Sequence, residues 1–261
     1  MRPHLLVFAL LVGCGASTPP GPAAVEPLEW IELRTGGASE TETLPLIIAL
    51  HGRGDRAEGF VRAFEGFETP ARIALLRAPI REGENAAWFT FRRPNTWRRV
   101  AEDLDQVSDR VVATIDEITA TRPTRGLPIA MGFSQGGNLA YTLALRHPTR
   151  FRAILPVSSG FIETALAWEH FDVPHTPPII AFHGRQDPVI PLDADVDSVA
   201  LLEGLGVQIT LHEHDAPHWM VPAMREDVQA EGLCADAQTC RAREGSQVSM
   251  RTVRSQLSHA G

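Results

Sequence analysis

The chain has 261 residues, with 32 acidic and 24 basic side chains, and every basic one is arginine. Without a lysine amine it has no access to Gly-Lys-Ser/Thr phosphate loops, kinase catalysis, pyridoxal Schiff bases or Ser-Lys dyads. A formal charge of −8 argues against nucleic acid as a partner, while 44% hydrophobic and 21% charged residues suffice for a full core.

In chain order, Arg2 and His4 precede the apolar run Leu5 to Val12, and Gly13, Cys14, Gly15, Ala16 and Ser17 follow. The run is far below the ~18 residues of a spanning helix and fits a signal for export. Leu11-Val12-Gly13-Cys14 resembles the bacterial lipobox, which implies removal of residues 1–13 and lipidation of Cys14. Residues 14–25, with Thr18-Pro-Pro-Gly-Pro-Ala-Ala, read as a flexible tether. The expectation is a lipoprotein on the periplasmic or outer-membrane side, touching the membrane through its anchor only. The competing reading is a signal peptide cleaved near Ala16, which would release a soluble protein.

Residues 45–50, 73–76, 127–131, 151–157, 178–182 and 207–212 are short apolar runs, mostly without polar alternation, as suits strands buried on both faces of a parallel sheet. Between them, Val100, Leu104, Val107, Val111, Ile115 and Ile118 recur at helical spacing on one face. This alternation predicts one doubly wound α/β domain over residues 26–232. The extension 233–261 contains Cys234 and Cys240, an even pair for an oxidising compartment and an expected disulfide, which by loop entropy would contribute about 2 kcal/mol.

Directly after the strand 127–131 stands Gly132-Phe133-Ser134-Gln135-Gly136-Gly137, followed by a helical pattern over 138–145. Gly-x-Ser-x-Gly between strand and helix is the nucleophile elbow, a tight turn that lifts a serine hydroxyl above the sheet. A hydroxyl needs a base, and without lysine the candidates are the ten histidines. In α/β-hydrolases the chain order is Ser, then Asp or Glu, then His, each at a strand end. Asp187 follows the strand 178–182, and His218 follows 207–212, so the order 134, 187, 218 satisfies it. The oxyanion donors expected after the first strand and after the serine are the amides of Arg53, in His51-Gly52-Arg53-Gly54-Asp55, and of Gln135.

The set HGRGD, Ala87-Trp88-Phe89, GFSQGG, HGRQDPVIP and a late Pro-His resembles the phospholipase/carboxylesterase family of α/β-hydrolases, which includes the acyl-protein thioesterases. The resemblance runs from about Leu44 to Arg225. It implies an α/β-hydrolase fold and cleavage of a small-molecule or lipid ester or thioester without cofactor or metal, with Ser134 as nucleophile, Asp187 as orienting acid and His218 as base. It also places Trp88 and Phe89 near the acyl-binding side, beside their alternative role as core aromatics. Arg53 stands where the family commonly has leucine, and its guanidinium could meet an anionic substrate group. Competing readings are a metal-dependent hydrolase built on His212, His214, Asp215 and His218, a serine peptidase on the same fold, and a lipid-tethered binding protein.

Overall fold

The computed structural model describes residues 25–91, 96–162 and 173–233. Cys14, Cys234 and Cys240, with the proposed signal, most of the tether and nearly all of the C-terminal extension, lie outside the described residues. Strands β1 (Trp30–Arg34), β2 (Leu46–Leu50), β3 (Arg72–Leu76), β4 (Ile80–Glu82), β5 (Asn85–Ala87), β6 (Ile129–Phe133), β7 (Ala153–Val157), β8 (Ile179–Gly184) and β9 (Ile209–His214) alternate with helices α1 (Ala57–Phe60), α2 (Thr96–Thr121), α3 (Gln135–Arg146), α4 (Asp193–Gly204) and α5 (Pro222–Leu233). Seven strands form one sheet in the order β1-β3-β2-β6-β7-β8-β9, parallel except for β1, while β4 and β5 form a separate hairpin. This is the α/β-hydrolase fold expected from the motifs.

Continuous apolar strands imply two cores, and two are present. Leu46, Ile48 and Leu50 of β2 face the cluster built by the apolar stripe of α2 together with α3 and α4. Ile47 and Ala49, pointing the other way, join Phe60, Phe64, Phe67, and Met224 and Val228 of α5. The alternation follows from the period-2 geometry of a strand, so one five-residue run serves both layers. Among the described residues no helix is long and apolar enough to cross a membrane.

The structure adds what short apolar runs do not announce. β1 is an edge strand whose sequence Trp-Ile-Glu-Leu-Arg alternates, and it lies antiparallel on β3, with Glu32 in ion pairs with the buried Arg72 and with Arg122. β6 continues through Gly132 to Phe133, and β8 and β9 run to Gly184 and His214. Each of these three strands therefore ends closer to the candidate catalytic motifs than apolar character indicates.

Sheet order fixes the position of the site. From β2 the chain first adds β3 on one side and later β6 on the other, so β2 and β6 flank a point where the strand order reverses. Crossover connections leave such a point on opposite faces and open a crevice beyond the carboxyl ends of the two strands. The loop at His51 and the turn at Ser134 both sit there.

Candidate active site

Ser134 joins β6 to α3 with φ 53° and ψ −117°, a left-handed backbone that a residue with a Cβ adopts only when its surroundings impose it. The turn is held by its amide, which donates to the Val157 carbonyl at 2.8 Å, and by its carbonyl, which accepts the amides of Gly137 at 2.8 Å and Asn138 at 3.1 Å. A methyl group on Gly132 would collide with the Gly136 carbonyl, and one on Gly136 with the Leu50 carbonyl. The two glycines thus allow α3 to start directly against β6 and β2.

Asp187 lies in the turn after β8, and its side chain is buried. Its Oδ1 accepts the amides of Val189 at 2.8 Å and Ile190 at 2.9 Å, and its Oδ2 is 2.6 Å from His218 Nδ1. Burial alone would raise the carboxyl's pKa, but these amides and the His218 ring outweigh it and hold it below the ordinary value. His218 packs against Phe133, the residue before the serine, with ring centroids 4.8 Å apart. The Asp187–His218 pair is therefore seated beside the elbow. A small pocket lined by Phe60, Ala63, Phe133, Trp219 and Met220, with Asp55, Arg62 and Arg225 also in its wall, opens at the same place.

Across the crevice, among the described residues, the amides of Arg53 and Gln135 donate to no protein acceptor. The loop that carries Arg53 is braced from below. Trp88 donates from its indole to the His51 carbonyl at 2.7 Å, and the His51 ring donates from Nδ1 to the Gly52 carbonyl at 2.8 Å while Nε2 accepts the Ala78 amide at 3.4 Å. One neutral tautomer satisfies both bonds, and burial lowers the ring's pKa in keeping with it. The Gln135 side chain accepts the Trp88 amide and donates to the Phe89 carbonyl, both at 2.8 Å. Trp88 and Phe89 are themselves buried within the α2-side core.

The Arg53 guanidinium is engaged by Glu82 of β4, with Nε at 3.0 Å from one carboxylate oxygen and Nη2 at 2.8 Å from the other. Gln135 as a clamp and Glu82 as the partner of Arg53 were not read from the sequence. Both contacts join residues some 29 to 47 positions apart, and only the fold brings them together.

The four residues of the metal reading do not converge on one point. His212 stacks on Phe182 with centroids 5.1 Å apart, His214 lies 3.6 Å from Asp227, Asp215 pairs with Arg185 at 2.8 Å, and His218 holds Asp187. Among the described residues no group of three or more His, Cys, Asp or Glu is arranged to hold a metal ion.

The chain is 31% identical over 158 residues to feruloyl esterase C of Emericella nidulans, covering 58% of this chain and 52% of that one. It is 30% identical over 103 residues to acyl-protein thioesterase 1 of Gibberella zeae, covering 38% and 44%. The chain thus spans about half the length of the curated relatives it matches. Among solved structures, esterase PE8 superposes with a TM-score of 0.65 at 21% identity, over 78% of this chain and 97% of the other, and so shares the fold. Residues 37–230 match the phospholipase/carboxylesterase family as a whole, and the chain belongs to that family.

Proposed function

We propose that the protein is a serine carboxylic-ester hydrolase that acts through an acyl-enzyme on Ser134. The observation that carries this reading is the 2.6 Å Asp187–His218 bond seated beside a serine held at φ 53°. With Nδ1 committed to Asp187, His218 keeps Nε2 for the serine hydroxyl. As Ser134 Oγ attacks the ester carbonyl, its proton passes to His218, and the buried Asp187 carboxylate compensates the imidazolium that forms. The amides of Arg53 and Gln135 donate to the developing oxyanion, helped by the N-terminal end of α3. Collapse of the tetrahedral adduct returns the proton to the leaving alcohol or thiol. Water, activated by the same histidine, then releases the carboxylic acid.

Feruloyl esterase and acyl-protein thioesterase relatives support oxygen esters and thioesters as the substrate classes to compare. Turnover of p-nitrophenyl esters from acetate to palmitate, beside methyl ferulate, a lysophospholipid and an acyl thioester, tests the reading. At least one ester should be cleaved by the wild type and not by Ser134→Ala, whereas equal rates for the two proteins would overturn it. Export and lipidation at Cys14 belong to the same proposal and rest on the sequence pattern of residues 1–17. Palmitate labelling of the full chain that is abolished in Cys14→Ala is the expected result.

A further inference from the structure

Behind Asp187 lies a second acid–imidazole pair that the proposed mechanism leaves unused. His183, at the end of β8, is buried, with Nδ1 2.6 Å from Asp195 Oδ2 and Nε2 2.9 Å from the Ile190 carbonyl. A carbonyl only accepts, so Nε2 carries a proton. Asp195 Oδ1 accepts the Tyr141 hydroxyl at 2.7 Å, and the Ser159 amide also donates to this carboxyl. An unprotonated Nδ1 facing a carboxylate oxygen at 2.6 Å would set two lone pairs against each other, so the pair must hold a further proton. With two other donors already stabilising the carboxylate, that proton belongs on the ring.

We infer that His183 is a positioning residue of the proposed triad: as a buried imidazolium on Asp195, it ties down the 187–190 turn through the Ile190 carbonyl and sets positive charge 3.6 Å from the Asp187 oxygen that holds His218. Two consequences follow for the base. The turn whose Val189 and Ile190 amides grip Asp187 Oδ1 is anchored from its far side. The positive ring also takes up part of the Asp187 charge, so His218 releases the serine's proton more readily than it would from an isolated carboxylate. Burial opposes charge on both partners: it raises the Asp195 carboxyl, whereas on His183 the bond to Asp195 outweighs it and raises the ring's pKa, and the carbonyl and hydroxyl partners of the pair favour the proton on the ring. The titratable groups facing the ring are Asp195 on α4, Asp187 in the following turn and, through Asp195, Tyr141 on α3.

This inference rests on the serine-hydrolase reading for its kinetic meaning but not for its spectroscopic test. In 15N-histidine-labelled protein, with His183 assigned by its loss in His183→Gln, both ring nitrogens should be protonated at pH 7. A single protonated ring nitrogen at pH 7 overturns the inference. Asp195→Asn keeps a partner for Nδ1 and for Tyr141 while leaving the ring neutral. In that variant the acidic limb of the kcat/KM profile should move to higher pH by about half a unit or more, the scale set by one charge at this range in a partly buried site. A folded Asp195→Asn protein with an unmoved limb contradicts the inference, since a merely structural pair would lower the plateau alone. If Asp195→Asn fails to fold, the spectra of the unaltered chain decide. If no ester is turned over at all, the serine-hydrolase reading falls while the spectra still determine the state of the pair.

Discussion

The two halves of the site are built by different means. On the side of β2 and β6 the proposed working groups are a strained serine and two main-chain amides, placed by glycines that let α3 start against the sheet. On the side of β8 and β9 they are side chains, placed by hydrogen bonds from neighbouring turns and, behind them, by a buried ion pair. The difference sets what each half tolerates. A backbone site fails through steric collision, whereas a side-chain site can keep its shape and lose only its proton chemistry.

Substitutions should separate the halves, beginning with the largest effect. Asp187→Asn should lower kcat by about 10,000-fold with the fold intact, because an amide no longer selects the working tautomer of His218. Near-normal turnover by a folded variant would remove Asp187 from the proposed mechanism. Gly136→Ala should cost stability first and activity as a consequence. Its methyl group meets the Leu50 main chain, and overpacking of this kind costs about 1–3 kcal/mol or more, read as a lower midpoint in chemical denaturation. Gln135→Ala falls between the two classes. It leaves the buried Trp88 amide and Phe89 carbonyl without partners, worth about 1–3 kcal/mol, and loosens the loop that carries Arg53. Smallest of all, Arg53→Leu should change stability by less than about 1 kcal/mol and leave turnover of neutral esters nearly unchanged. The Arg53–Glu82 pair is half exposed, and only the amide of Arg53 is proposed to act.

The same division carries into pH. The folded-state pKa of His51 is lowered by burial, so an unfolded chain takes up a proton near pH 6.5 that the native chain does not. Stability should therefore fall as pH drops below about 6.5, with a shallower slope in His51→Gln. Asp187, depressed in the folded state, contributes stability that is present above about pH 4 and is lost as pH falls through its folded value. Thermal melts between pH 8 and pH 3 distinguish the two windows.

How much could be read from the chain follows the same line. The nucleophile half is local: Gly132, Ser134 and Gly136 stand within five residues, after an apolar strand and before a helix, so the sequence itself displays the turn. The six parallel strands were equally legible, because burial on both faces leaves a continuous apolar run. β1, half covered and alternating, carried a weaker signal, and the three-residue β4 and β5 carried almost none. In the acid–base half, chain order picked out Asp187 and His218, which the structure brings to 2.6 Å. It said nothing of His183, Asp195 and Tyr141, because their association depends on side-chain bonds that link α3 to α4 and α4 to the end of β8. The orientation of Arg53 was hidden for a similar reason, since its partner lies in a hairpin that only the folded loop at 51–55 brings near.

The central claim is that Ser134 becomes covalently acylated during turnover. Mass spectrometry of protein quenched in acid during steady-state hydrolysis of p-nitrophenyl acetate tests it directly. The account predicts a population heavier by one acetyl group, located on the peptide that contains Ser134 and absent from Ser134→Ala. Active protein with no acyl adduct there, or turnover retained in Ser134→Ala, would contradict it.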